Sequence, residues 1–423
     1  YYIPRIQFMN HSEHLSVQTL NRHQNRLILY KVNIKTLEVG ALLEEIDEAY
    51  VDLHDNLTFL LKDDFIWTSE RDGYNHIYLY SSEGKLIRQI TSGDFEVTNF
   101  YGYDQKKDRI FYQSTEPSSI ERAIYRISTK GKYKTRLTAR AGTHNAQFSK
   151  DFQYFIGTYS SSTIPYEFTL RDPRTGSVLS VIKDNAKLAE KLKGYDIAPK
   201  EFGTLNVGAN QLNMYMIRPN DFDPSKKYPL LMFQYSGPGS QQVADQWMGS
   251  NDYWHQMLAS QGYIIACVDG RGTGFKGRDF KKSTYLNLVK FETEDQIAAA
   301  KKLSELDYID ETRTGIWGWS FGGHMSTNAL LKGNDVFEMA IAVAPVTSWR
   351  FYDTIYTERF LRTPEENPGG YDNESPFNYP ELLKGKYLLV HGSGDDNVHV
   401  QNSMRMIEAL IQANKPFDWA IYP

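Results

Sequence analysis

Cysteine is nearly absent from this sequence, and so are long apolar runs. Cys267 is the single cysteine, in the apolar stretch YIIACVDG, so an intrachain disulfide is excluded and a packing role is expected for the thiol. No apolar run approaches the roughly 18 residues that span a bilayer, so we expect no membrane segment. The formal net charge is -5, with Lys and Arg scattered along the chain, which argues against a nucleic-acid partner.

The N-terminal stretch YYIPRIQFMN also lacks features of a secretory leader. It has neither a charged segment nor an apolar core, and it does not begin with Met, so we expect a processed or truncated chain. A single cysteine suits a bacterial exported protein or a cytosolic one better than a secreted protein held by disulfides. We therefore expect a periplasmic or cell-surface location in a bacterium, with a cytoplasmic location as the alternative.

Aromatic residues, in contrast, are abundant. They make up 14% of the chain and include 29 Tyr, which favours β-structure. Short apolar runs joined by polar turns such as SEGK, TKGK and DPRTG recur with a period of about 45 residues, at 65–91, 109–138 and 154–182, with an earlier copy at 15–45. This period predicts about four blades of a β-propeller over residues 1–190, and a generic antiparallel β-domain is the alternative.

The pattern changes after the polar segment at 192–203, which contains Gly and Pro. Near-continuous apolar runs then alternate with helical stretches, of which 291–306 and 400–414 are the clearest. Such alternation predicts a doubly wound, mostly parallel α/β sheet over residues 195–423. Its strands are predicted at 214–219, 229–235, 263–269, 315–320, 339–345, 387–393 and 418–423.

Within this region, WGWSFGGH contains a G-x-S-x-G centred on Ser320. The apolar run GIWGW leads into the serine and a helical stretch follows it, which is the strand–turn–helix nucleophile elbow of α/β-hydrolases. Gly318 and Gly322 would let neighbouring backbone pass close to the turn. The backbone N–H of Phe321 would then form half of an oxyanion hole. A glycine turn with an incidental serine is the alternative.

An acid is expected after a later strand, because in this fold the triad runs Ser, Asp or Glu, then His. The stretch YLLVHGSGDDNVHV supplies an apolar strand, a glycine turn and two aspartates. We assign Asp395 to the triad, since a carboxylate there can orient a histidine and stabilise its charged form. Asp396 is predicted to cap the helix that follows.

A base is harder to find. The chain has ten histidines, and none follows residue 399. His399 lies at the predicted helix start, His391 at a strand end and His324 within the elbow helix. We expect none of the three to act as the catalytic base. The residues alone therefore indicate a nucleophile and an acid without a base.

Several longer motifs carry a family resemblance that covers essentially the whole chain. They are QYSGPGSQ (234–241), DGRGTGFKG (269–277), FETEDQ (291–296), WGWSFGGH (317–324), FYDTIYTERF (351–360) and HGSGDDNVHV (391–400). The chain resembles the dipeptidyl peptidase IV family of the prolyl oligopeptidase class of serine peptidases. The resemblance implies an eight-bladed propeller and a hydrolase that removes N-terminal dipeptides with Pro, or less well Ala, in second place. It implies neither a cofactor nor a metal ion.

The resemblance also implies roles for individual residues. Tyr235 matches the tyrosine whose hydroxyl completes the oxyanion hole beside the Phe321 amide. Asn397 matches a side chain that binds the carbonyl of the substrate's first peptide unit. A flat apolar box for the proline ring is implied for Val346, Trp349, Tyr352, Tyr356 and Val398. The spacing of the two tyrosines would place them on one helix face.

The chain departs from the family pattern in places. The acidic Glu pair that grips the substrate amine, and an upstream Arg, do not lie in this sequence, and the family histidine is expected just past Pro423. We therefore expect this chain to be inactive alone. The resemblance also implies that its parent is a homodimer. Phe321 replaces a usual tyrosine, and Val289 stands where a glycine is usual. The alternatives are an acylaminoacyl peptidase or prolyl oligopeptidase-like endopeptidase, and a non-catalytic propeller that binds peptides.

Overall fold

Four antiparallel sheets of four strands each follow one another along the first part of the chain. The structure is a computed structural model that describes residues 1–10 and 13–423. The sheets contain, in order, β1 Tyr2–Phe8, β2 His14–Leu20, β3 Arg26–Asn33 and β4 Val39–Ile46; β5 Thr58–Phe59, β6 Phe65–Ser69, β7 His76–Tyr80 and β8 Leu86–Gln89; β9 Val97–Asp104, β10 Arg109–Ser114, β11 Ala123–Ile127 and β12 Thr135–Arg136; β13 Thr143–Phe148, β14 Phe155–Ser161, β15 Ile164–Arg171 and β16 Val178–Lys183.

Apolar and aromatic side chains hold successive sheets together. Leu27 and Leu29 of the first sheet share one buried cluster with Phe65 and Trp67 of the second. The ring of Phe65 stacks on that of Tyr80 at 5.1 Å, a cross-strand pair of the kind that stabilises antiparallel sheets. The sheets therefore pack face to face through the alternating residues that produced the repeat in the sequence.

The second part of the chain forms one eight-stranded sheet with the order β17-β18-β20-β19-β21-β22-β23-β24. At one edge, β18 pairs antiparallel with both β17 and β20. All the remaining neighbours in this sheet pair parallel. The strands are β17 Lys200–Val207, β18 Asn210–Ile217, β19 Tyr228–Phe233, β20 Ile264–Asp269, β21 Ile309–Trp319, β22 Met339–Val343, β23 Lys386–Gly392 and β24 Asp418–Tyr422.

Eight α-helices are found among the described residues. They are α1 Ala186–Leu192, α2 Ser250–Ser260, α3 Arg278–Lys282, α4 Lys290–Ser304, α5 Phe321–Lys332, α6 Thr354–Leu361, α7 Pro368–Asp372 and α8 Gln401–Gln412. Over those same residues, no helix is long and apolar enough to cross a membrane. The core of the large sheet combines strand residues such as Leu230 and Ile316 with helix residues such as Ala300, Leu330 and Leu410.

The chain divides into two units. Residues 1–186 form the first, together with the short segments 244–247 and 275–279, and the second contains 187–243, 248–274 and 280–423. The predicted fold class, propeller blades followed by a doubly wound α/β-hydrolase sheet, is confirmed.

Val289, just before α4, is fully buried with a φ of 77°. This left-handed conformation favours glycine, which gives a backbone reason for the glycine usual at that place.

Candidate active site

Ser320 lies in the sharp turn between β21 and α5. β21 ends at Trp319, α5 begins at Phe321, and Ser320 has φ 59° and ψ -117°, a conformation that non-glycine residues rarely adopt. A Cβ at Gly318 would lie 2.5 Å from the carbonyl oxygen of Gly322, and one at Gly322 would lie 2.6 Å from that of Gln234. The two glycines therefore let β19, β21 and α5 approach closely enough to hold the serine in this turn.

Two hydrogen-bond donors lie beside the serine. The N–H of Phe321 is the first of α5, where backbone donors have no partner within the helix. Tyr235, two residues past the end of β19, has its hydroxyl close enough to Ser320 for the serine side chain to act to lower the pKa of the phenol. Burial and nearby Tyr352 outweigh that effect and raise the pKa of Tyr235 above its usual value. The phenol thus remains a protonated donor at neutral pH, as an oxyanion hole requires.

Asp395 lies in the turn after β23, and backbone amides hold its carboxylate. Its Oδ1 accepts from the N–H groups of Asn397 at 3.0 Å and Val398 at 2.9 Å. Asp396 is exposed, and the prediction that it caps the next helix is wrong, because α8 begins only at Gln401 and has no side-chain cap. The hydrogen bonds from the amides of Asn397 and Val398 to Asp395 stabilise a turn there instead, and α8 begins after that turn.

Two of the three histidines considered as bases have other ring partners, and the third, His399, is exposed just before α8. His324 is fully buried in α5, and its Nε2 lies 2.8 Å from the carbonyl oxygen of Glu374. Burial lowers the pKa of His324 to about 4, so its ring is neutral. His391 uses both ring nitrogens in bonds to Ser403 and Val398. Within the described ranges 1–10 and 13–423, no histidine ring is hydrogen-bonded to the Ser320 side chain; His324 contacts Ser320 only through its backbone N–H, which donates to the Ser320 carbonyl oxygen at 3.1 Å.

An aromatic box adjoins the serine. The ring of Trp349 lies 5.5 Å from that of Phe321 and 6.0 Å from those of Tyr352 and Tyr356. The two tyrosine rings meet edge to face at 5.2 Å. Sequence reasoning assigned Phe321 only a backbone role, whereas its buried ring also lies between Tyr235 and Trp349. Val346 and Val398 are buried as well.

The helical explanation for the tyrosine pair is wrong. Tyr352 ends a short 3-10 turn at Trp349–Phe351, and only Tyr356 lies in α6. Asp353 caps α6 by accepting a hydrogen bond from the amide of Tyr356 at 2.8 Å, which puts Tyr352 outside the helix. The rings nevertheless converge, because the cap turns the chain between them.

One contact joins the aromatic box to the turn that carries the acid. The hydroxyl of Tyr352 donates to Oδ1 of Asn397 at 3.0 Å. A second tie, which sequence reasoning missed, is made by buried Asn402 in the first turn of α8. Its Oδ1 accepts from the amide of Thr347 at 3.0 Å, and its carbonyl accepts from the Thr347 hydroxyl at 2.7 Å. The segment between Val346 and Trp349 is thereby attached to α8.

All these groups follow the carboxyl ends of neighbouring strands. Tyr235 comes after β19, Ser320 after β21, Val346 after β22 and Asp395 after β23. Parallel strands end at one edge of a sheet, where ligand sites of such folds are built. Across the described part of the chain, no cluster of three or more His, Cys, Asp or Glu side chains suited to a metal ion is found.

The fold and the turn at Ser320 define an α/β-hydrolase domain with a nucleophile elbow, preceded by propeller blades. The dipeptidyl peptidase IV N-terminal region matches residues 1–166, and the prolyl oligopeptidase family matches residues 250–423. The chain belongs to the dipeptidyl peptidase IV family, within the prolyl oligopeptidase class of peptidases.

Individual proteins agree with this placement. The crystal structure of dipeptidyl peptidase 4 from Porphyromonas gingivalis is 48% identical with a TM-score of 0.96, and the match covers 100% of this chain and 60% of that one. The "Probable dipeptidyl-aminopeptidase B" of Neurospora crassa is 40% identical over 79% of this chain and 37% of its own length. The "Probable dipeptidyl peptidase 4" of Aspergillus flavus is 37% identical over 82% of this chain and 46% of its own length. The chain thus spans less than half the length of these curated relatives.

Proposed function

We propose that the protein is a serine exopeptidase that releases N-terminal dipeptides with Pro, or less well Ala, in second place. The observation that carries this proposal is the arrangement at Ser320: a strained elbow serine with the phenol of Tyr235 close by and an aromatic box beside it. The names of the related proteins support the dipeptidyl part of the proposal.

In the proposed reaction, the Ser320 oxygen attacks the carbonyl carbon of the second residue. The oxyanion that forms would accept hydrogen bonds from the Phe321 amide and the Tyr235 hydroxyl, both already fixed in place. The new amino terminus leaves, and water hydrolyses the ester on Ser320 to free the dipeptide. A base must accept the serine proton and then donate it to the leaving amine.

The aromatic box supports the preference for proline. Trp349 and Val346 are buried to about the same extent, each 2% exposed, so the floor of the box is apolar and fixed. Tyr352 and Tyr356 meet at right angles above it. The pyrrolidine ring of proline is compact and apolar and would fill the box. The methyl group of alanine would bury less apolar surface there, which accounts for the proposed weaker preference for alanine.

We further propose that residues 1–423 by themselves hydrolyse such substrates very slowly. The rings of His324 and His391 are bonded to other groups, and neither ring is hydrogen-bonded to the Ser320 side chain. Removal of a triad histidine lowers kcat by about a millionfold in a well-studied serine protease. The longest natural polypeptide that contains this sequence is therefore the material for assays.

The test is a set of four anilides assayed with that polypeptide: Gly-Pro, Gly-Ala, N-acetyl-Gly-Pro and N-acetyl-Ala p-nitroanilide, with Ser320→Ala as control. We expect kcat/KM to fall from Gly-Pro to Gly-Ala by about tenfold or more, and blocked substrates to react far more slowly. Preference for N-acetyl-Gly-Pro would indicate an endopeptidase, and preference for N-acetyl-Ala an acylaminoacyl peptidase. No hydrolysis of any of them would contradict the enzymatic proposal and favour a peptide-binding protein.

A further inference from the structure

His391, the penultimate residue of β23, is fully buried next to the turn that carries Asp395. Its Nδ1 lies 2.6 Å from the hydroxyl of Ser403, and its Nε2 lies 2.7 Å from the carbonyl oxygen of Val398. The same Nε2 is 3.4 Å from Oδ2 of Asp395. One imidazole therefore contacts α8, the end of the acid turn and the carboxylate itself.

The partners determine which ring nitrogen carries the proton. A backbone carbonyl only accepts, so the short contact with Val398 requires a proton on Nε2. Nδ1 of the neutral ring is then an acceptor for the Ser403 hydroxyl. The hydrogen on Nε2 therefore faces both the Val398 carbonyl oxygen and Oδ2 of Asp395. It can thus orient the carboxylate without neutralising its charge.

The two oxygens of Asp395 are held differently. Oδ1 accepts the amides of Asn397 and Val398, and Oδ2 faces the His391 ring. The Asp395 side chain is 25% exposed, whereas that of His391 is 0% exposed. The imidazole therefore contacts the buried side of the Asp395 carboxylate and leaves its solvent-facing side accessible. Oδ2 of Asp395 keeps a lone pair that can accept a hydrogen bond from a second imidazole, that of the triad base.

The support behind His391 is rigid. Ser403 is fully buried in the first turn of α8, and Met406, Ile407 and Leu410 of that helix are buried in the core of the large sheet. A serine anchored there has little freedom to move, so the bond from its hydroxyl holds the imidazole plane. The core thus fixes Ser403, Ser403 fixes the His391 ring, and the ring contacts Asp395 in the acid turn.

We propose that His391 is a positioning residue: as a neutral imidazole with its proton on Nε2, it aims the Asp395 carboxylate at the catalytic base. This inference rests on the proposed peptidase function for its kinetic consequence, whereas its geometry can be tested without activity. His391 itself touches no substrate and transfers no proton. Its role is to fix the direction of the acid.

The chain contains a closely matched control in another unit. His76 of β7 is equally buried, with Nδ1 3.0 Å from the Thr91 hydroxyl and Nε2 2.9 Å from the carbonyl oxygen of Gly93. It repeats the hydroxyl–imidazole–carbonyl arrangement within the first unit, away from Asp395 in the chain. Changes at His76 therefore remove the same pattern of bonds from a histidine that has no bond to Asp395.

The first test reads the tautomer directly. Long-range ¹H–¹⁵N spectra of ¹⁵N-histidine-labelled protein at pH 8 should show an Nε2–H ring that disappears in His391→Gln. In Ser403→Ala, the ring should keep its proton on Nε2, because the Val398 carbonyl still accepts it, but its signals should broaden as the imidazole plane loses its support. An Nδ1–H ring, or free exchange in the unaltered protein, would overturn the proposal whether or not the protein is a peptidase.

The second test is kinetic and uses the longest natural polypeptide with Gly-Pro p-nitroanilide. His391→Leu should lower kcat by about tenfold to hundredfold, the effect of a small misplacement in a catalytic group. The acid limb of the rate profile should move to lower pH, because a poorly aimed carboxylate stabilises the protonated base less. His391→Gln keeps an N–H near the Nε2 position and should recover most of kcat.

His76→Leu and His76→Gln provide the comparison. Both should alter thermal stability but leave kcat per folded molecule and the pH limb unchanged. Equal losses at the two histidines, or an unmoved pH limb in His391→Leu, would overturn the positioning role. If the unaltered protein hydrolyses no anilide, the proposed function fails, and the tautomer measurement alone decides the arrangement at His391.

Discussion

The Tyr352 hydroxyl donates a hydrogen bond to the side-chain oxygen of Asn397 at 3.0 Å. This contact connects a wall of the aromatic box with the turn that holds Asp395, although 45 residues separate the two in sequence. It links the box proposed to bind the substrate ring directly to the turn that carries the proposed triad acid. Since Asn397 is exposed, the phenol fixes a side chain that would otherwise sample several rotamers.

Tyr352→Phe tests that connection. The ring contacts with Trp349 and Tyr356 remain, and one hydrogen bond worth about 0.5–1.5 kcal/mol is lost, so kcat/KM for Gly-Pro p-nitroanilide should fall about twofold to tenfold. The loss should lie mainly in KM, because Asn397 is proposed to bind the substrate carbonyl. Steady-state kinetics measure it, and an unchanged KM would count against the proposed role of Asn397.

Tyr235→Phe tests the oxyanion hole. The ring stays beside Phe321, but the hydroxyl that would donate to the oxyanion is removed, so kcat should fall about a hundredfold to a thousandfold with KM little changed. Tyr308→Phe is a matched control, since its hydroxyl donates to the Met216 sulfur at 4.0 Å and its ring packs against the core of the large sheet. A loss of less than about threefold in Tyr235→Phe would contradict an oxyanion role.

Gly318→Ala tests the packing at the elbow. The new methyl would lie 2.5–2.6 Å from two carbonyl oxygens, an overlap that only backbone movement can relieve, at about 1–3 kcal/mol. We expect a lower melting temperature and weak fluorophosphonate labelling of Ser320. Gly40→Ala in β4 meets nothing within 4 Å and should change neither. Normal labelling of Gly318→Ala would show that the elbow tolerates a Cβ there.

Mild acid should destabilise the chain through buried histidines. Burial lowers the pKa of His54, His144 and His324 to about 4. A histidine with a depressed folded pKa binds protons more tightly when unfolded, so stability is lost as the pH falls from about 6.5 toward 4, by about 3 kcal/mol per site.

His144→Gln should therefore flatten the decline of melting temperature between pH 6.5 and 4.5, whereas His399→Gln, at an exposed position, should not. Thermal unfolding of the three proteins at matched ionic strength provides the measurement. Identical slopes for His144→Gln and the unaltered chain would show that the buried ring is not protonated on unfolding in this range.

The sequence predicted the fold well, because each propeller sheet and each parallel strand leaves a local apolar pattern. The strand runs near 264–269, 339–343 and 386–392 were all expected within a few residues. Patterns failed where side chains cap the backbone. Asp353 carries a recognisable cap signal, and using it would have placed Tyr352 outside α6. Asp395 bonds amides two and three residues ahead, which postponed α8 and removed the cap expected at Asp396.

Long-range contacts at the site could not be predicted from spacing. The tie between His391 and Ser403, and that between Asn402 and Thr347, join separate strands and helices through single polar side chains. No periodicity marks such pairs, since each is fixed by the way the elements pack. The aromatic role of Phe321 likewise depends on where Trp349 and Tyr235 lie after folding.

The central claim is that Ser320 is the nucleophile of a dipeptidyl peptidase, and mass spectrometry of a covalent adduct tests it most directly. The longest natural polypeptide that contains this sequence should be treated with an Ala-Pro diphenyl phosphonate and digested. We predict one modified peptide, with the phosphonate on Ser320, no modification in Ser320→Ala, and no reaction with the N-acetylated reagent. An adduct on another residue, or equal reaction of the N-acetylated reagent, would contradict the account.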